Sequence, residues 1–173
     1  MVLGLSLATY TLIHVIISLA GIVSGLVVMC GLLTANPMKG WTALFLITTV
    51  LTSVTGFGFP FMGVTPAIIL GVLSLIVLAA AIVARYPLGM AGIWRKVYVI
   101  SASVALYFNV FVLVVQSFEK VPALKAAAPT QKEAPFAITQ LAVLAFFAVV
   151  TTLAVRRSRG MPIETAKVAG KAA

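Results

Sequence analysis

Five long apolar stretches, separated by short connections, constrain this chain more than any other feature. A helix needs about 20 predominantly apolar residues to cross the hydrocarbon core of a bilayer. The stretches that meet this length are Leu5–Leu33, Trp41–Phe59, Pro66–Ala84, Val97–Phe118 and Phe136–Val155. They predict an all-α integral membrane bundle of five transmembrane helices over residues 1–155. The basic tail, residues 156–173, is expected to be disordered.

The composition points to lipid as the natural surroundings of the chain. Only 9% of its 173 residues are charged and 62% are apolar, whereas a soluble domain is about 25% charged. A net charge of +9 would suggest nucleic acid as the partner of a soluble protein. Here the basic residues lie between the apolar stretches and in the tail, where they orient a membrane protein and contact anionic lipid. We therefore expect membrane lipid, and no nucleic acid, as a partner.

The basic residues are distributed unevenly over the two sides that five spans would define. Three lie on the side of the N-terminus: Lys120, Lys125 and Lys132. Nine lie on the other side: Lys39, Arg85, Arg95, Lys96, Arg156, Arg157, Arg159, Lys167 and Lys171. By the positive-inside rule the C-terminus is cytoplasmic and the N-terminus lies outside. The start of the chain lacks the basic region of a signal peptide, so the first stretch is expected to remain as a span.

The first span holds the only histidine, His14, and the only cysteine, Cys30. Helical spacing puts Thr11, His14, Ser18, Gly21 and Gly25 on one face, and we expect the bundle to form around that face. Polar residues of the other spans should meet it in the outer half of the membrane, because unpaired polar groups are costly there. The resulting candidate ligand-binding residues are His14, Ser18, Thr52, Thr55, Asn109, Gln116 and Gln140. They predict either a hydrogen-bonded network that aligns the helices or a small-molecule pocket.

His14 has several candidate roles. It can be a structural hydrogen-bonding residue, an axial ligand of haem, a partner of a quinone ring or part of a proton relay. A haem held by two histidines would need a homodimer, because the chain has one. A relay would lack a buried carboxylate. Haem and quinone stay open as cofactors, and neither is favoured over a structural role.

Small residues at four-residue spacing predict close helix contacts. Gly21 and Gly25 form such a pair in the first span, and Ala67 and Gly71 form another in the third. Such pairs serve a bundle interior or a homodimer interface; we favour the interior. At the outer end of the second span, the stretch 52–61 is either an interfacial anchor or a lid over an outer pocket.

The sequence offers no catalytic constellation. The only acidic residues are Glu119, Glu133 and Glu164, and all lie outside the spans. HExxH, Walker, GxSxG and CxxC motifs are missing, and one cysteine cannot form a cysteine zinc cluster. We therefore expect no enzyme and no metal site.

Several segments resemble a family of small bacterial multi-span integral membrane proteins that is uncharacterised. They are Ile13-His14, Gly21 to Gly25, TSVTGFGFPF, ARYPLGMAGIWRKVYV, LYFNVFVLVVQSFEKVPAL and APTQKEAPF. The resemblance covers roughly residues 11 to 156. It implies a helical bundle in the bacterial inner (plasma) membrane and lends no ligand or catalytic residues.

Two functions follow as expectations. The first is a non-enzymatic component that is accessory to, or stabilises, a larger membrane complex, with other membrane proteins or a second copy as partners. The alternative is a binding module for a quinone, haem or another lipophilic small molecule in the outer half of the bundle. A channel is disfavoured because the inner half of the spans is apolar.

Overall fold

The computed structural model describes residues 4–36, 38–59 and 66–158. Six helices make up the regular structure of these ranges. They are α1 (Leu7–Leu33), α2 (Lys39–Gly56), α3 (Pro66–Arg85), α4 (Trp94–Lys120), α5 (Pro122–Ala127) and α6 (Ala134–Arg157). The predicted all-helical bundle is confirmed. The short helix α5 was not predicted, and α6 extends two residues into what the sequence suggested was tail.

Four of the helices are long and apolar enough to cross a membrane: α1, α3, α4 and α6. Helix α2 is not among them, because Lys39, five threonines and one serine lower the mean hydropathy of its 18 residues. The predicted turn at 60–65 and the tail from 159 onward lie outside the described residues.

A tight turn joins α1 to α2. Ala35 adopts a left-handed conformation with φ 54°, and the N–H of Asn36 donates to the carbonyl of Gly31 at 2.8 Å. This is the six-to-one bond of a Schellman ending. A Cβ at position 31 would lie 2.8 Å from the carbonyl oxygen of Asn36. Glycine at position 31 therefore lets the chain reverse and pack α2 antiparallel to α1.

At the other end of the bundle, Glu133 is the residue that precedes α6, and its side chain bonds the connection before the helix rather than the first turn. Its carboxylate accepts hydrogen bonds from the hydroxyl and the N–H of Thr130 and from the N–H of Lys132, at 2.9 to 3.2 Å. Desolvation raises the pKa of Glu133, but these hydrogen bonds and one from its own backbone outweigh it and lower the pKa below the usual value.

Helix α4, rather than α1, lies at the centre of the bundle, because it contacts each of the other five helices. Close approach is possible since α4 buries the small residues Ala102 and Ala105 against its neighbours. The core around it contains Phe45, Leu78, Tyr98, Leu106 and Phe147.

Candidate functional site

The N-terminal part of α1 and the C-terminal end of α2 are joined through Thr55. The Tyr10 hydroxyl donates to the carbonyl oxygen of Thr55 at 2.7 Å. The Nδ1 atom of His14 lies 2.7 Å from the Thr55 hydroxyl oxygen. Tyr10 and His14 are four residues apart, so one face of α1 presents both side chains to the same residue of α2.

The Phe59 ring completes what we name the outer cluster: Tyr10, His14, Thr55 and Phe59. Its centroid lies 5.1 Å from that of Tyr10 and 5.2 Å from that of His14, and both pairs meet edge to face. A Cβ at Gly58 would overlap the Tyr10 hydroxyl. The glycine therefore allows the chain after α2 to bring Phe59 against α1. Aromatic pairs of this geometry add about 0.5–1.5 kcal/mol each to area burial.

A second polar junction lies deeper, where α1, α2 and α4 meet. The Asn109 amide donates to the Thr49 hydroxyl at 3.3 Å. A Cβ at Gly21 would lie 3.3 Å from the Thr48 hydroxyl oxygen and 3.5 Å from the Asn109 amide nitrogen. Gly21 is two turns beyond His14, a rise of about 10 Å along the helix. The structure therefore places His14 and Asn109 at different levels of one interface.

The remaining candidate ligand-binding residues are dispersed. The hydroxyls of Ser18 and Thr52 donate to carbonyls of their own helices, at His14 and Thr48. Gln140 joins α6 to α4 by donating to the carbonyl of Phe111 at 3.2 Å. Gln116 is exposed. Sequence reasoning placed His14 and Thr55 in the same set of candidate ligand-binding residues but did not include Tyr10, whose position four residues before His14 was a usable signal.

The predicted packing residues occupy different environments. Gly25 is buried, and a Cβ there would lie 2.5 Å from Leu106 and 2.9 Å from the Phe45 ring. Gly71 lies against the ring of Phe57, because a Cβ at position 71 would lie 3.0 Å from the Cζ atom of that ring. Ala67 is exposed.

Two cavities lie away from the outer cluster. One, of about 420 Å³, lies by the connection between α4 and α6 and is lined by Phe118, Glu119, Lys125, Pro129, Thr130 and Gln131. The other, of about 460 Å³, is a wholly apolar groove between α2 and α3 that includes Leu46, Ile82 and Tyr86. No group of three histidine, cysteine or acidic residues that could hold a metal ion occurs in the described ranges.

A buried arginine at the opposite end of the bundle was missed by the sequence reasoning, which used it only as an orientation signal. Arg85 is 2% exposed. Its guanidinium lies 5.1 Å from the centroid of the Tyr98 ring and 5.9 Å from that of Tyr86, and Nη1 lies 3.6 Å from the sulfur of Met90. Met90 takes a left-handed conformation, with φ 56°. The sequence carries no local signal for this contact, since Tyr98 comes from the next helix.

No known protein family, curated protein or solved structure matches this chain.

Proposed function

We propose that this chain crosses a bacterial inner membrane five times, and that α2 crosses it in addition to α1, α3, α4 and α6. Helix α2 runs antiparallel to both neighbours along its whole length. Phe57 near its end lies against Gly71 near the start of α3, Ser53 bonds Ser74 at 3.1 Å, and Leu46 shares the apolar groove with Ile82. Eighteen residues rise about 27 Å, close to the thickness of the hydrocarbon core, about 30 Å.

The proposed orientation has the N-terminus outside and the C-terminus in the cytoplasm. In the described helices, the α1–α2 and α3–α4 turns lie at one end of the bundle, together with the end of α6. That end carries Lys39, Arg85, Arg95, Lys96, Arg156 and Arg157. The opposite connection, between α4 and α6, has a more balanced charge, with three lysines beside Glu119 and Glu133. The positive-inside rule then assigns the richer end to the cytoplasm.

The function is that of a non-enzymatic component that is accessory to, or stabilises, a larger membrane complex. The observation that carries this proposal is the use of the hydroxyl groups in the spans. They donate mainly to carbonyls three or four residues back on their own helix, as Ser24, Thr48 and Ser103 do. Such hydroxyls satisfy themselves and leave the helices to pack by shape, which favours a packing role over chemistry.

The peripheral helix α6 is the proposed contact surface for the partner. Only 11% of the most apolar 18-residue stretch of α6 is buried in the bundle. Its exposed side includes Ala142, Ala145 and Ala148, and small residues let another helix approach closely in lipid, where apolar side chains alone give no preference for protein over acyl chains.

The test is extraction of the chain, at its natural abundance, from its own membrane into polymer nanodiscs, followed by native mass spectrometry. The accessory role predicts a particle that contains this chain and a different membrane protein. Ala145→Trp should release the partner, whereas Phe146→Trp, which replaces one bulky exposed residue with another about 100° around α6 from Ala145, should retain it. A wild-type particle that holds one chain, or only copies of this chain, would contradict the accessory role.

A further inference from the structure

The hydrogen bonds around Thr55 fix which ring nitrogen of His14 carries a proton. The Thr55 hydroxyl oxygen lies 2.7 Å from the carbonyl oxygen of Leu51. A carbonyl has no hydrogen to give, so the hydroxyl of Thr55 is the donor in that pair. The hydrogen between Thr55 Oγ1 and His14 Nδ1, 2.7 Å apart, must then come from the ring. His14 is therefore protonated at Nδ1.

The Nε2 atom of His14 is consequently a hydrogen-bond acceptor. A neutral imidazole carries one N–H, so its second nitrogen presents a lone pair. Helix α1 contains no charged residue, and no described carboxylate bonds the ring. A charged imidazolium would therefore be costly at this depth. Within the described ranges, Nε2 makes no hydrogen bond and is not fully buried.

We propose that the outer cluster binds a membrane-dissolved hydroquinone, whose ring hydroxyl donates to Nε2 of His14. An acceptor with no donor of its own selects a ligand that brings the hydrogen, and so favours the reduced hydroquinone over the oxidised quinone, which has only carbonyl acceptors. The site would bind the ligand without any transfer of electrons.

The surroundings of His14 suit such a ligand. Tyr10 and Phe59 offer aromatic rings beside the imidazole, against which a planar ring packs edge to face or offset. The His14 side chain is half-buried, and its Nε2 is not fully enclosed. An apolar ligand can therefore approach the ring from the bilayer rather than through a cavity.

The protonation of His14 is tested by nitrogen NMR of the full chain in lipid nanodiscs, labelled with ¹⁵N-histidine. Because there is one histidine, both resonances belong to His14, and their couplings to the two ring C–H protons distinguish Nδ1 from Nε2. We expect Nδ1 to show the shift of a protonated nitrogen and Nε2 that of an unprotonated one. Thr55→Val should give a mixture of the two tautomers. Thr52→Val, which removes a nearby hydroxyl that donates to the carbonyl of Thr48 on its own helix, should leave the spectrum unchanged.

Binding is tested with a short-chain alkylated hydroquinone and its oxidised quinone, titrated under anaerobic conditions into the same nanodiscs. The hydroquinone should move the Nε2 resonance and bind at least about tenfold more tightly than the quinone, a difference of about 1.4 kcal/mol. Thr55→Val should weaken hydroquinone binding several-fold, and Thr52→Val should not.

Three results would overturn this proposal: equal affinity for the two redox forms, no movement of the Nε2 resonance by either, or protonation of Nε2 in the wild type. A haem absorption band that disappears in His14→Ala would assign the nitrogen to iron and also overturn it. The proposal is independent of the accessory role, because the ligand titration needs no partner protein.

Discussion

At the scale of single residues, the close packing of α1 against α2 and α4 depends on the glycines of α1. Gly21 and Gly25 share the face that meets α2 and α4, and each lies where a methyl group would meet a neighbouring side chain. The sequence showed which residues share this face, because helical spacing requires it. It could not show that Phe45 and Leu106 fill the space beside Gly25, since those contacts depend on how three separate helices are aligned.

Gly25→Ala should destabilise the bundle. The added Cβ would lie 2.5 Å from Leu106 Cδ1 and 2.9 Å from the Phe45 ring, and both side chains are 1% exposed. Overpacking of this kind costs about 1–3 kcal/mol. Gly40→Ala is the matched control, because a Cβ there meets nothing within 4 Å and alanine favours the helix. Reversible unfolding in mixed detergent measures both variants; equal loss of stability in the two would contradict the packing.

At the scale of helices, the α3–α4 hairpin is held at its turn by Arg85, which lies between the rings of Tyr86 and Tyr98. The Tyr98 hydroxyl is buried near Thr42 and Arg85 without the geometry of a full hydrogen bond to either, so most of the contribution of Tyr98 comes from the ring. Sequence periodicity was sufficient to predict both helices. The pairing of Arg85 with Tyr98 was not predictable, because it follows from the left-handed turn that folds Met90 back against α3.

Replacement of Tyr98 should separate the effect of the ring from that of the hydroxyl. Tyr98→Phe keeps the aromatic face beside the guanidinium and should change the free energy of unfolding little. Tyr98→Leu removes the cation–π contact and should cost about 2 kcal/mol more than the phenylalanine variant, the value of a desolvated contact. Thermal unfolding in one detergent compares the two. If they melt together, the Tyr98 ring does not stabilise Arg85.

At the scale of the whole molecule, the number of spans depends on α2. Hydropathy alone treats its threonines as a penalty, yet these residues bond their own helix, as Thr48 and Thr52 do. In that state they are compatible with membrane depth. The sequence predicted five helical segments, and the centre of each agrees with the structure. The proposal that α2 also crosses the bilayer rests on its packing beside α1 and α3.

Cysteine labelling of intact cells tests the proposed topology. In a Cys30→Ser background, Asn36→Cys, Ala91→Cys and Lys132→Cys place single thiols in three connections. We expect a membrane-impermeant maleimide to label Lys132→Cys in intact cells, and the other two only after permeabilisation. If α2 does not cross, Asn36→Cys and Ala91→Cys would fall on opposite sides. If all three patterns are inverted, the orientation is wrong while five spans remain.

The hydroxyl groups that bond within their own helices have one more consequence. Hydrogen bonds between helices are concentrated where α1, α2 and α4 meet, at Thr55 and Asn109. Helix α3 bonds α2 through Ser74, and α6 bonds α4 through Gln140. The helices α3 and α6 can therefore tilt by small amounts about these points, while the glycine and aromatic contacts keep the bundle together. A bundle of this kind can follow the thickness of the surrounding bilayer. Lipids with shorter or longer acyl chains should change the tilt of α3 and α6 before they change the contact between α1 and α2 at Thr55.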